Sequence, residues 1–192
     1  MPSSDEIKSE SNSLSEFCKG KNVYEIPLYQ REYEWTSEHL DTFWTDLTSH
    51  VNEPDSESYF FGTVILVKEN DASPRFSIVD GQQRLTTSII FITFLRDFMD
   101  EKIQNIQKEI EILDALESKT DSQKEELEDL NENKFEYKSD LKKLELMLWT
   151  SEKNDKKQSK NRLALNLYNE KFFKEDILIK KTFSEKYTNL CE

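Results

Sequence analysis

Val79-Asp80-Gly81-Gln82-Gln83-Arg84-Leu85 decides how the chain is read, because an apolar run ends there in a polar turn and a helical pattern begins. Ahead of it, Arg75-Phe76-Ser77-Ile78-Val79 is short and rich in β-branched and aromatic residues, which predicts a strand. Behind it, Leu85, Ile89, Ile92, Leu95 and Met99 recur at helical spacing with further apolar residues between them, which predicts a helix buried on most sides. Asp80 falls at the N-cap of that helix, and Gln83, three residues on, completes a capping-box-like pair. The first turn of a helix carries unpaired N–H groups and partial positive charge, so it attracts anions. Gly81 lets a ligand approach the backbone. Arg84 offers a planar fork for two phosphate oxygens, and Asp80 can hold a divalent ion or orient a water. The plainer alternative is that Asp80 and Gln83 only cap the helix while Arg84 pairs with an acidic neighbour. Two adjacent glutamines and an arginine, however, are more than capping needs, since it uses only one of them.

Working outward, Tyr59 to Val67 predicts a strand with Gly62 as a bulge or close-approach point. The turn Asn70-Asp71-Ala72-Ser73-Pro74 returns the chain into the central strand as a hairpin. Further upstream, the segment from Val23 to Trp35 begins extended, and Pro27 confines it to an edge or to the end of a ladder. Tyr29, Tyr33 and Trp35, with Gln30 and Arg31 between them, mix stacking surfaces with donors in a way that suits a base or nucleotide. A packed aromatic corner is the other reading. Thr36 or Ser37 caps a helix whose Leu40, Phe43, Trp44, Leu47 and Val51 share one face, ending before Pro54, and this pattern reads as packing. Ser13-Leu14-Ser15-Glu16 is a capping box that opens a short helical turn through Cys18, and Gly20 can end it. Residues 1–13 are Ser-rich and charged and read as mobile.

Downstream, Ile103, Ile106, Ile110, Leu113 and Leu116 make one apolar stripe; Leu127, Leu130, Tyr137, Leu141, Leu144 and Leu148 make a second. Lys119-Thr120-Asp121-Ser122 interrupts them, and Ser122 with Glu125 reads as a capping box, so two antiparallel helices are expected. That hairpin is either a structural arm or a dimerisation or partner arm, and the latter would leave one stripe exposed in the monomer. Thr150 to Lys160 reads as a polar loop whose Lys153, Lys156, Lys157 and Lys160 are solvated or touch a phosphate backbone. Phe172, Phe173, Ile177 and Phe183 supply a tail that packs back on the core. The expected organisation is thus a mobile segment over 1–13, a core over 14–99, a helical hairpin over 100–149, and a returning loop, strand and helix over 150–192.

The 192-residue chain carries a formal charge of -13, most of it in the first hundred residues, which opposes nonspecific binding to nucleic acid or anionic membranes. Any DNA must be met locally or with help. No apolar run reaches membrane-spanning length and no basic start leads into a signal core, so a cytoplasmic protein is expected. Cys18 and Cys191 lack metal spacing and read as plain thiols, while His39 and His50 read as helix-surface residues.

Three motifs together carry a resemblance. Ile26-Pro27-Leu28-Tyr29-Gln30-Arg31-Glu32-Tyr33-Glu34-Trp35, then Phe61-Gly62-Thr63-Val64-Ile65, then Asp80-Gly81-Gln82-Gln83-Arg84-Leu85-Thr86-Thr87 resemble, in order, the N-terminal domain of GmrSD-type modification-dependent restriction endonucleases. Asn161-Arg162-Leu163-Ala164-Leu165-Asn166 is a weaker echo of the strand that closes that domain. The resemblance implies an α+β fold of the ParB/sulfiredoxin kind, a small mixed sheet with helices around it, to which the helical hairpin is added. It implies a cytoplasmic sensor for phage defence, which binds and hydrolyses a nucleoside triphosphate with Mg²⁺ while sensing modified DNA. Carried over by position, Asp80 holds Mg²⁺ or orients the attacking water, Gln83 positions that water or binds phosphate, and Arg84 holds the triphosphate. Gly81 and Gln82 line the phosphate site, with Gln30 and Arg31 as further nucleotide contacts, and Tyr29, Tyr33 and Trp35 face nucleotide or nucleic acid. Cutting is left to a C-terminal His-Asn-His nuclease; the two histidines, both before the central motif, cannot supply its site and nothing after residue 150 looks like one, so a longer protein or a separate nuclease partner is implied. A homo-oligomer is a further expectation. The alternative function is a module that binds modified DNA or nucleotide without turnover and recruits the nuclease through the hairpin.

Overall fold

Strand β3 (Arg75–Asp80) lies inside a four-stranded sheet of order β2-β3-β1-β6, where β1 is Val23–Glu25, β2 is Ile65–Lys68 and β6 is Leu163–Ala164. The computed structural model describes residues 8–52, 59–68, 70, 72–150, 160–166, 170, 171 and 173–178. The sheet is mixed and the fold is α+β. β2 runs antiparallel to β3, as a tight turn between them requires, with a register shift between Ile65 and Leu66. β1 runs parallel to β3, Tyr24 opposite Phe76, and parallel to β6, Tyr24 opposite Leu163. β1 is therefore an interior strand. Pro27 is tolerated because it falls beyond the ladder, whose last rung is the Ile26 N–H donating to the Ala164 carbonyl at 2.9 Å.

The strand predicted from Tyr59 begins only at Ile65. Gly62 sits at φ +102 in the irregular stretch before it, and the carbonyls on either side of it face an arginine and not a neighbouring strand.

Helix α3 (Gln82–Asp114) follows β3 and runs unbroken past residue 100, so the first arm of the helical hairpin is its continuation. Leu85, Ile89 and Ile92 enter the core against Ile78 and Leu163, and Leu95 and Met99 are half-buried. Polar residues are buried on the same helix: Thr87 and Thr93 donate back to the carbonyls of Gln83 and Ile89 at 2.9 and 2.8 Å. The Arg96 guanidinium pairs with Asp97 and donates to the Leu178 carbonyl at 2.9 Å, fastening the π-helical turn Phe173–Leu178 to the helix. Phe173 and Ile177 thereby reach the core, as expected of the tail; Phe172 and Phe183 lie outside the described residues.

Helix α4 (Asp121–Leu148) packs back along α3. Its capping box is Thr120 with Gln123 and not Ser122 with Glu125, because Thr120 is the residue held extended (φ -66, ψ 163) with its hydroxyl on the Gln123 N–H. Ile103 and Ile110 are buried and Leu127, Leu130, Tyr137, Leu141 and Leu144 half-buried, so the two stripes cover each other. Leu116, at the end of the first stripe, is exposed.

The ends of the expected loop after α4 pair as β4 (Trp149–Thr150) and β5 (Lys160–Asn161). Lys153, Lys156 and Lys157 lie outside the described residues. Arg162 is 2 % exposed and donates to the carbonyls of Gly20, Asn22, Leu146 and Trp149 at 2.9 to 3.2 Å, drawing two segments onto one guanidinium. One of those segments follows α1 (Leu14–Phe17), which is closed by the expected Ser13–Glu16 capping box. Phe17 stacks on Tyr24 at 4.0 Å. Cys18 is buried beside them as a free thiol, and burial pushes its pKa up to about 11. No helix among the described residues is long and apolar enough to cross a membrane.

Candidate functional site around the start of helix α3

At the start of α3 the side chains of three distant sequence segments meet. Asp80 ends β3 and does not cap the helix. The N-cap is Gly81, in the left-handed region at φ +86, and among the described residues no side-chain cap hydrogen bond is made. A Cβ on Gly81 would lie 3.0 Å from the Thr63 carbonyl oxygen, so glycine is demanded here by the fold. The expected Asp80–Gln83 capping box is absent because Gln83 reaches elsewhere. Its Nε2 donates to the Glu32 carbonyl at 2.8 Å, and its Oε1 accepts the Glu34 N–H at 3.0 Å. Gln82 Nε2 donates to the Arg31 carbonyl at 3.1 Å.

The 27–35 segment answers in kind. Gln30 Nε2 donates to the Val79 carbonyl at 2.9 Å, and the Tyr33 hydroxyl meets Thr87 Oγ1 at 2.9 Å. Burial raises the Tyr33 pKa, and the Thr87 bond opposes the shift. Arg84 holds the third segment: its Nη2 donates to the Thr63 carbonyl at 3.0 Å and its Nη1 to the Phe61 carbonyl at 3.4 Å. A Cβ on Gly62 would overlap Arg84 Nη1, which explains the glycine between those two carbonyls. The two glutamines thus grip the backbone of residues 31–34, and the arginine grips that of residues 61–63.

What faces outward is a smaller set. The Asp80 side chain is 63 % exposed and the Arg84 side chain 34 %, with 3.9 Å between carboxylate and guanidinium. Tyr29 is 76 % exposed and does not stack with Tyr33 or Trp35. Trp35 turns to α2 (Ser37–Asn52), stacking on His39 and tilting onto Phe43, both at 6.0 Å. Arg31 is paired with Glu34 at 2.9 Å on the surface. Behind the loop a small notch receives Gln82 Oε1 and Asn166 Oδ1, buried acceptors with no hydrogen-bond donor among the described residues.

Beside Arg84 opens a cleft of about 380 Å³ that the sequence did not announce. One wall is α2 with the residue ahead of it, where Trp35, His39 and Phe43 form one line and Glu38, Thr42 and Asp46 the next; the other is Tyr59, Phe61 and Arg84. Phe43 and Phe61 meet edge to face at 6.3 Å. Burial raises the Tyr59 pKa, Asp46 raises it further, and Arg84 opposes them. The signal in the sequence was the i, i+4, i+8 recurrence from Trp35 and from Glu38; of the apolar face Leu40, Phe43, Trp44, Leu47 and Val51 only Phe43 lines the cleft, and Leu40, Trp44 and Val51 point elsewhere. Those three are 40, 53 and 77 % exposed. His39 closes the helix start, accepting the Thr36 N–H at 3.2 Å.

No group of three or more potential metal ligands occurs among the described residues. Asp80 alone at the turn fits a Mg²⁺ that arrives on phosphate oxygens, since that ion commonly takes one or two protein carboxylates besides its substrate.

Fold and site together define an α+β domain in which a strand–turn–helix motif gathers two other segments around one helix start. The chain belongs to the family described as the GmrSD restriction endonuclease N-terminal domain, whose model matches residues 14–191. That membership makes restriction defence its setting, with DNA and a nuclease as general partners. No curated protein matches the chain.

Proposed function

We propose that this domain binds a nucleoside triphosphate at the start of α3 and hydrolyses it as the sensing part of a modification-dependent restriction system. The observation that carries this reading is the outward-facing Asp80–Arg84 pair at a helix start that no side chain caps. Asp80 accepts a hydrogen bond from the attacking water and directs the water's lone pair at the terminal phosphorus; the bond to the bridging oxygen breaks, the water's proton passes by way of Asp80 to the phosphate formed, and the nucleoside diphosphate leaves. Arg84, already oriented by two carbonyls, lays its remaining donor capacity on the transferred group. When bound with the nucleotide, Mg²⁺ neutralises phosphate charge. Gln82 and Gln83 serve as positioning residues that keep the 27–35 segment over the turn, with Gln30 and Arg31 at its rim. Gly81 keeps the backbone close to Thr63. Tyr29, standing out from that segment with Leu28, is the contact for modified DNA, and Tyr33 and Trp35 hold it in place.

A second reading is favoured by the same hydrogen bonds: with Gln82, Gln83 and Arg84 committed to backbone, the motif can act as a clasp in a binding module that recruits its nuclease through the hairpin. Calorimetry with the four ribonucleoside triphosphates and Mg²⁺, with phosphate release measured on the same samples, separates the two. The hydrolytic reading expects Asp80→Asn to bind triphosphate with an unchanged melting temperature and to lose about 100-fold or more in release. Binding by the parent without any release, also when modified DNA is present, leaves only the clasp.

A further inference from the structure

We propose that the cleft between α2 and Tyr59–Phe61 is the base subsite of the nucleotide whose phosphates the Asp80–Arg84 pair takes. The inference rests on the reading of the turn as a triphosphate site and extends it to the other end of the ligand.

Four observations carry it. At about 380 Å³ the cleft lies within the size range of small-molecule sites. Its floor is aromatic, with Trp35 just ahead of α2, Phe43 on the helix and Phe61 meeting Phe43 edge to face, a surface of rings on which a planar heterocycle can lie. Its polar groups on the helix side are Glu38, His39, Thr42 and Asp46; His39 Nδ1 is engaged with Thr36 and the Thr42 hydroxyl with the Glu38 carbonyl, whereas neither the Glu38 nor the Asp46 carboxylate is paired with a cation or hydrogen-bonded by any described residue. Ionised carboxylates only accept hydrogen bonds. They therefore select a group with N–H donors, which every nucleobase presents, and they reject phosphate. Finally, Arg84 is common to the cleft and to the turn, so one guanidinium fixes which end of the ligand lies where. The sign of charge changes along the site, from carboxylates around the base to the arginine and uncapped helix start around the phosphates. A nucleotide enters it in one direction.

The test uses the purified chain with Mg²⁺ and three kinds of probe: the four nucleoside triphosphates, the four nucleosides, and inorganic tripolyphosphate. At least one nucleoside triphosphate is expected to bind about tenfold or more tighter than tripolyphosphate. Glu38→Gln combined with Asp46→Asn, both changes on one helix surface, is expected to reduce that advantage below about threefold while tripolyphosphate binds as before or better. Equal affinity for nucleotide and tripolyphosphate in the parent overturns the base subsite and leaves the phosphate site standing. An advantage that survives the double variant intact also overturns it, because the base then lies elsewhere. If a nucleoside binds and tripolyphosphate does not, and the double variant abolishes that binding, the cleft stands and the reading of the turn falls. Failure of all three probes overturns both.

Discussion

Gln83 uses both ends of one amide on the backbone of Glu32 and Glu34, which requires a donor and an acceptor on a side chain long enough to leave its own helix. Glutamate keeps the length but loses the donor, and would set an anionic oxygen against the Glu32 carbonyl. Gln83→Glu and Gln83→Ala are each expected to lower stability by about 1–3 kcal/mol in urea unfolding, with glutamate no better than alanine. Gly62→Ala tests the neighbouring grip. The added methyl both displaces Arg84 and strains a φ of +102, so a loss of about 1–3 kcal/mol is expected, together with weaker triphosphate binding. Cys18 makes a prediction in pH. Its folded pKa is raised from 9.0 to about 11, so its contribution to stability is complete below about pH 9 and falls away as pH rises toward 11. Denaturation of the parent and of Cys18→Ala across that window is expected to show a shallower decline in the variant. At this scale the residue types at the turn were legible, and so was the close approach at Gly62. What was not legible was where the long side chains go, because the reach of a glutamine or arginine is set by loops that come near only after folding.

Helices were legible because their apolar spacing repeats over many residues, as in Leu85, Ile89 and Ile92. Their ends were less so. The start of α4 lies two residues from where a capping-box pattern suggested, since Thr120-x-x-Gln123 and Ser122-x-x-Glu125 satisfy the same rule and only backbone geometry separates them. Thr120→Ala should cost about 1 kcal/mol and Ser122→Ala little, a contrast that thermal unfolding resolves. Strands β4, β5 and β6 are two residues each, too short for any period to register. Their placement is governed by Arg162, whose buried guanidinium binds carbonyls from the chain after α1 and from the end of α4. Burial also lowers its pKa, so the charge there is maintained against a desolvation cost. Arg162→Met is expected to lose about 3 kcal/mol or more, measured by chemical denaturation, because several buried acceptors lose their donor together.

Across the whole molecule, the net charge of -13 weighs against duplex DNA, which binds proteins chiefly through phosphate neutralisation. The isolated chain is expected to bind unmodified duplex more weakly than about 10⁻⁴ M at physiological salt, as fluorescence anisotropy would report. Sequence reading separated the core from the hairpin near residue 100, yet one helix of 33 residues joins them. At about 1.5 Å per residue that helix is roughly 50 Å long. It is rooted where three motifs converge and ends far from them, braced along its outer part by α4. Such a rod is a lever: a tilt of about 5° at its root swings its tip through roughly 4 Å. A change of contacts around Asp80 and Arg84 too small to notice locally would therefore be displayed, enlarged, at the remote end of the hairpin, where another protein can read it.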